Sequence, residues 1–287
     1  MSSAAIKRKG FRRKPSVILA WVAEHVLLVV LAVLFISPVL FVLLTSFMSS
    51  TQTLTASLWP APFYWGNYIK VFTEVPLARW FGNSAMYAIL ATAFMLLSSI
   101  PAAYVLAKIR IRGGNFIFLL IIFAMLLPPQ VKVVPIYVMW AHLGLTGTLW
   151  PLILPNLLGQ AFSIFLLRQF FLTIPSEYSD AARIDGNGEL GVLLKVIVPM
   201  AKPGIAAAGI FLFFDSWNDY FGPLLYTSEK SENWPVAYGL SVFRGIHGGD
   251  WGSTMAVTML VTIPVVVLFF FAQRSFVEGI TMTGVKG

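Results

Sequence analysis

The chain contains no cysteine. Disulfides, thiol catalysis and thiolate metal sites are therefore excluded. Charge is the next scarcity. Asp, Glu, Lys and Arg make up 11% of the residues, where a soluble domain carries roughly a quarter. The three histidines, His25, His142 and His247, stand in no metal-ligand spacing. No glycine-rich loop ends in Gly-Lys-Ser or Gly-Lys-Thr, so the chain lacks a phosphate cradle for ATP. Gly113-Gly114 and Gly248-Gly249 read as turns instead. No serine sits in a nucleophile motif, and no catalytic cluster supports an enzyme. Neither a cofactor nor a metal of its own is expected.

What the chain has in excess is apolar length. Hydrophobic residues make up 58% of its 287 positions, and mean hydropathy is +0.81. These values define an all-α polytopic membrane protein rather than a soluble one with an anchor. Six spans are expected, at about 26–47, 81–107, 116–138, 149–171, 204–225 and 251–272. Pro38 is placed to kink the first. Pro128-Pro129-Gln130 breaks the third, and Val131–His142 reads as a broken or re-entrant continuation. Irregular backbone at that depth requires protein or water around it, which hints at a pathway. Residues 1–25 form a basic tail, 26–275 the membrane domain and 276–287 a second tail. The basic start is followed by no small-residue cleavage site, so it reads as uncleaved. Residues 48–80 form a loop with Trp59, Phe63, Tyr64 and Trp65, rings that favour the membrane boundary.

The net charge of +8 would suit nucleic acid, but the positions of the charges argue otherwise. Fifteen Lys and Arg fall on one proposed side: six between Lys7 and Lys14, then Lys108, Arg110, Arg112, Arg168, Arg183, Lys195, Lys202, Arg274 and Lys286. Five fall on the other: Lys70, Arg79, Lys132, Lys230 and Arg244. Positive charge stays inside, so both termini and the loop at 172–203 are expected in the cytoplasm.

That loop is the most designed stretch of the chain. Pro175-Ser176 reads as a helix start, with Ser176 able to cap it. Glu177 and Asp180 suit the first turn. Ala181 and Ala182 carry almost no side chain, so another surface can come close. Asp185-Gly186 is a helix end, because glycine accepts the left-handed cap conformation. Asn187 can cap a second helix at about Leu194–Val198, and Pro199 stops it. Two readings follow: an amphipathic hairpin lying on lipid headgroups, or a docking surface for a partner.

The spacing resembles the EAA motif of the membrane-spanning subunits of ATP-binding-cassette (ABC) importers. The family pattern is Glu-Ala-Ala, three residues, Gly, nine residues, Ile, one residue, Leu-Pro. Here it reads Asp180-Ala181-Ala182, three residues, Gly186, nine residues, Val196, one residue, Val198-Pro199. The departures are Asp for Glu and two valines for Ile and Leu. Several other stretches resemble the carbohydrate-type permeases of that family. They are the segment from Pro60 to Asn67-Tyr68, Asn83-Ser84, the run Ala102–Ala107, and the Trp217-Asn218-Asp219-Tyr220 stretch. The resemblance implies a type I importer permease fold with a cytoplasmic coupling helix, in the inner membrane of a prokaryote. It implies a second homologous permease, a dimer of ATP-binding subunits docked on Glu177, Asp180, Ala181, Ala182, Asp185, Gly186 and Pro199, and an extracytoplasmic substrate-binding protein. ATP is bound by the partner subunit. Membrane lipid surrounds the chain, and nucleic acid is not a partner. The expected cargo is a sugar or a related polyol.

Asp215 stands mid-span, four residues before Asp219, so the two are expected on one helix face. A carboxylate in lipid costs a few kcal/mol or more, so it should face a cavity or a partner. Hydrogen bonds between subunits, or a cap, are one explanation. The other is a sugar path, with Asp215, Asn218 and Asp219 for hydroxyls and Trp217 and Tyr220 for stacking. A rival account is a proton-coupled secondary transporter that uses Asp215 and Asp219 as relays and needs no docking loop.

Overall fold

The computed structural model describes residues 15–246 and 248–284. The basic residues Lys7 to Lys14, His247 and Lys286 lie outside the described residues. Among the described residues the chain is helical and no strand is present. The reason is that lipid offers no partner for a free N–H or C=O, and a helix satisfies its own.

Helix α1 (Pro15–Ser46) continues through Pro38, which does not end it. Helix α2 (Gly66–Glu74) lies in the aromatic loop that follows. Asn67 fastens that loop to α1: its side-chain N–H group donates to the carbonyls of Ser46 and Met48 at 2.9 and 2.8 Å. Helix α3 (Leu77–Lys108) is the axis of the bundle. It packs on α7 (Ala161–Thr173) and on α11 (Lys202–Trp217). Ser84, Ala88, Ala91, Ser99 and Ala103 of α3 are buried. Small residues of this kind let membrane helices approach closely. The α7–α11 contact depends on the same device, since a Cβ on Gly204 would stand 2.5 Å from the Phe170 ring. Helix α14 (Trp251–Gly284) packs on both α11 and α1.

Among the described residues four helices are long and apolar enough to cross a membrane, and up to six spans result if each of two bent pairs counts as one. The first bent pair is α4 (Gly114–Leu126) and α5 (Pro129–His142), which turn 95° at the Pro128-Pro129 break. The second is the turn before α11, described below. The expected fourth span, 149–171, is not one regular helix. It is α6 (Trp150–Ile153), a 3-10 turn over Leu154–Leu158, a break at Gly159 with φ +87°, and then α7. Pro151 and Pro155 remove backbone donors there, and glycine alone takes that φ without strain. The expected fifth span, 204–225, ends at Trp217. Residues 218–220 form a turn before α12 (Phe221–Tyr226). A further short helix, α13 (Val236–Ile246), precedes α14.

Two buried clusters divide the core. One holds Met95, Tyr104, Leu167, Phe171, Val192 and Ile197, and so includes residues of the 172–203 loop. The other holds Val71, Leu77, Trp80, Trp217, Phe243 and Val257, at the end where α2 and α13 lie.

Candidate docking surface and translocation path

The loop between α7 and α11 folds as a helical hairpin. Its first arm is α8 (Ser176–Ile184). Pro175, not Ser176, occupies the cap position, and no side-chain cap bond forms. The expected Ser176 cap is therefore corrected: Ser176 already lies inside the helix. The end of α8 is as expected. Gly186 has φ +82°, its N–H donates to the Arg183 carbonyl, and the Asn187 N–H donates to the Ala182 carbonyl, both at 3.0 Å. This pair of bonds is the Schellman motif, which satisfies carbonyls left free at a helix end.

The second arm starts earlier than expected. It runs as α9 (Glu189–Val192), a π-helical turn over Leu193–Ile197, and α10 (Val198–Met200). Gly188 precedes it in place of Asn187, whose side chain donates instead to the Ala182 carbonyl at 3.1 Å. Asn187 thus closes the first arm rather than opening the second. Pro199 does not stop the arm either. It lies in α10, which follows the π-helical turn without a break, and the chain turns by 81° after Met200.

The hairpin has an inner and an outer face. Ser179, Ala182, Val192, Leu193 and Ile197 are buried against the bundle. Glu177, Asp180, Ala181, Asp185, Gly186 and Pro199 are exposed. Beside them stand Tyr178, Ile184, Leu190 and Leu194, all exposed, with Ile184 at 86%. Among the expected docking residues Ala182 alone points inward. The apolar quartet and Arg183 were not singled out from the sequence, although Arg183 lies three residues after Asp180, one turn along α8.

Arg183 joins the two arms. Its guanidinium donates to Asp180 Oδ1 at 2.7 Å and to Glu189 Oε1 at 2.8 Å. Glu189 Oε2 also accepts from the Tyr104 hydroxyl of α3, at 2.5 Å. The hydrogen bonds from Arg183 and Tyr104 outweigh desolvation and hold the Glu189 carboxyl below the usual carboxylate range. The same bond to Glu189 raises the Arg183 guanidinium.

At the end of α11 the expected path residues separate. Trp217 is buried, stacked on Phe213 with ring centroids 5.9 Å apart, and its indole N–H donates to the Val261 carbonyl at 3.3 Å. Asp219 lies past the helix end, so it does not share a face with Asp215 as expected. Its Oδ1 accepts the N–H of Gly222, in α12, at 2.9 Å, and its Oδ2 accepts from the Tyr87 hydroxyl at 3.0 Å. Asp215 lines a cavity of about 250 Å³ with Gln160, Phe162 and Phe211. Asn218 and Tyr220 line a different cavity of about 550 Å³, with Arg244, Trp251, Thr254 and Thr258. Among the described residues no group of His, Cys, Asp and Glu could hold a metal.

A membrane bundle with an exposed helical hairpin between two spans fits the class of transport permeases. Comparison with known proteins gives the family. The profile described as binding-protein-dependent transport system inner membrane component matches residues 99–281. The chain belongs to this family, and is a multi-pass permease subunit of the carbohydrate-type ABC importers. ATP hydrolysis lies with a separate subunit, and the family implies a substrate-binding partner as well.

The arabinooligosaccharides transport system permease AraQ of Halalkalibacterium halodurans is 33% identical, over 96% of this chain and 100% of its own length. The sn-glycerol-3-phosphate transport system permease UgpE of Yersinia pestis is 31% identical, over 89% of this chain and 94% of its own. The fold is similar to that of a chain in the crystal structure of a bacterial ABC transporter involved in the import of the acidic polysaccharide alginate. That match has a TM-score of 0.78, 24% identity, and covers 91% of this chain and 98% of that one. Nothing in these findings supports the proton-coupled alternative.

Proposed function

We propose that the chain carries an oligosaccharide or a polyol derivative across the inner membrane, paired with a second homologous permease. Two copies of an ATP-binding subunit seat on the hairpins of the two permeases, and an extracytoplasmic binding protein delivers the cargo. Both termini and the hairpin face the cytoplasm, in keeping with the asymmetry of Lys and Arg. The observation that carries this reading is the outer face of the hairpin. Tyr178, Ile184, Leu190 and Leu194 are exposed beside a ring of small and acidic residues on a loop between two spans. Large apolar side chains left exposed beside polar residues on a loop outside the spans favour an interaction site.

Closure of the ATPases on nucleotide moves the hairpins, and the permease pair exchanges inward- and outward-facing states. ATP drives this only through its different affinity for the two states. In the path, Asp215 and Gln160 supply hydrogen-bonding groups, and Phe162 and Phe211 supply ring faces beside them. Trp217 and Asp219 hold the corner in shape. Asn218 and Tyr220 line the neighbouring cavity.

Substrate class is testable on the binding protein that shares the operon or copurifies with the assembly. Arabino-oligosaccharides, diacetylchitobiose and sn-glycerol-3-phosphate, named for relatives of this chain, should be screened by thermal shift. Stabilisation by a sugar or a polyol derivative is expected. Stabilisation only by amino acids or peptides would reject the cargo class.

A further inference from the structure

Helix α3 is not a chain neighbour of the hairpin. The loop is joined covalently to α7 and α11, and the junction with α11 is a sharp turn of 81°. Yet the end of α3 carries a succession of polar links toward the loop. The Tyr104 hydroxyl donates to Glu189. The Leu106 carbonyl accepts from Arg168 Nε at 3.1 Å. The Lys108 ammonium donates to the Ile174 carbonyl, at the corner where α7 gives way to α8. Arg183 completes the chain by tying Glu189 to Asp180 of α8.

We propose that Tyr104, Glu189 and Arg183 form a strut that carries displacement of the hairpin directly into α3, the helix that packs on both α7 and α11. This rests on the reading of the hairpin as the ATPase seat. Tyr104 is 2% exposed, so its hydroxyl can serve no docking partner. Its bond is to a carboxylate that is itself held by a guanidinium, and charge-assisted bonds of this type are shorter and stronger than neutral ones. Glu189 receives bonds from two elements at once and therefore fixes their relative position. Because α3 packs on both α7 and α11, a shift applied at Tyr104 is passed to both helices. A shift applied only through the Ala201 turn would enter at α11 and reach α3 through side-chain packing, with no hydrogen bond from the hairpin to α3. These are positioning residues: none touches ATP or cargo.

The test uses the assembled importer with its second permease and ATPases in nanodiscs, and takes advantage of a cysteine-free chain. Spin labels at Leu97→Cys on α3 and Lys195→Cys on the hairpin report the separation of the two by electron–electron resonance. The probe is MgATP trapped with vanadate, against the nucleotide-free state. With the strut intact, the separation should change by less than about 1 Å, because the two move together. With Tyr104→Phe plus Glu189→Gln it should change by roughly 2 Å or more, the scale of helix shifts in switching proteins. The thermal midpoint of both assemblies is recorded beside the distances, and matching midpoints with different distances separate positioning from plain stability.

Equal distance changes in the two assemblies overturn the strut. If the unlabelled wild-type chain fails to copurify with the ATPase, the seat reading itself fails and the strut falls with it. If Tyr104→Phe keeps the ATPase but Glu189→Gln loses it, Glu189 is a docking contact and the strut is again overturned. Arg183→Lys, which keeps the charge without the two-pronged geometry, should restore part of the distance constancy that Arg183→Gln loses.

Discussion

The hairpin at residues 176–200 and the corner at 215–222 are both interruptions in a helical membrane chain, and they are built on opposite plans. The hairpin ties Asp180 and Glu189 to Arg183, ties Glu189 to Tyr104 of the bundle, and displays apolar side chains beside the exposed Glu177 and Asp185. Asp180, Arg183 and Glu189 bond to one another and to Tyr104, while Ile184 and Leu190 stand free. The corner buries its large apolar ring, Trp217, and leaves a carboxylate, Asp215, facing a cavity. A seat for a soluble partner needs a rigid base and an apolar face. A path for a polar cargo needs the reverse. With the hairpin as the proposed seat and the corner as the proposed path, the same residue classes exchange places according to what must be met on the other side.

The largest effect should follow from Gly186→Trp. A residue with a Cβ at φ +82° is strained by roughly 1–2 kcal/mol, but nothing in the isolated chain lies within 4 Å of that Cβ. Insertion should persist while ATPase copurification and uptake are lost. Asparagine tolerates the left-handed conformation, so Gly186→Asn should retain both. If Trp and wild type bind the ATPase equally, the contrast between seat and path disappears. Next, Asp215→Leu should reduce uptake by more than about tenfold, the scale of one charge-assisted hydrogen bond to cargo, while the ATPase still copurifies. Uptake at wild-type levels would remove Asp215 from the path.

A smaller change is expected at Asp219. Replacing it with Ala removes the acceptor of the Gly222 N–H and a partner of Tyr87, and should cost about 1 kcal/mol of stability, visible as a lower thermal midpoint. The smallest concerns the end remote from the hairpin. There Lys70 Nζ donates to Asp250 Oδ2 at 2.7 Å. Burial pushes the Asp250 carboxyl up, but the bonds from Lys70 and Ser253 outweigh it and hold the group below its ordinary value. A carboxyl depressed in the folded state contributes its stability above its unfolded pKa, about 3.9, and loses it as pH falls through the folded value. Lys70 is raised, chiefly by the bond to Asp250, so its share is present below the unfolded lysine value and fades at higher pH. With Lys70 partly exposed the pair is worth at most about 1 kcal/mol. Thermal midpoints at pH 7 and pH 3 should therefore differ slightly more for wild type than for Asp250→Asn.

Much of the fold was legible in the sequence because lipid forces long apolar helices. The fixed spacing from Asp180 to Gly186 announced the hairpin, and Gly186 took the positive φ that its position required. What could not be read is the balance of local against tertiary bonding. Asp215 and Asp219 sit four apart, and helical periodicity places them together. The Gly222 N–H and the Tyr87 hydroxyl capture Asp219 instead, and the helix ends before it. Asn187 looks like an opener of the second arm, but the Schellman turn at Gly186 brings it back over Ala182. Trp217 carried a stacking role in the sequence reading, and the contact with Phe213 that buries it spans one helical turn that composition alone does not single out. Tyr104 and Glu189 are 85 residues apart, and no local signal joins them.

The claim on which all of this depends is that the hairpin is the seat of the ATP-hydrolysing subunit. It is tested most directly by single cysteines at Ile184 and at Leu58, both exposed and at opposite ends of the molecule, in the otherwise cysteine-free chain. A photoactivatable thiol reagent on Ile184→Cys should crosslink to the ATPase in intact membranes, and the same reagent on Leu58→Cys should not. Crosslinking from Leu58 and none from Ile184 would contradict the account.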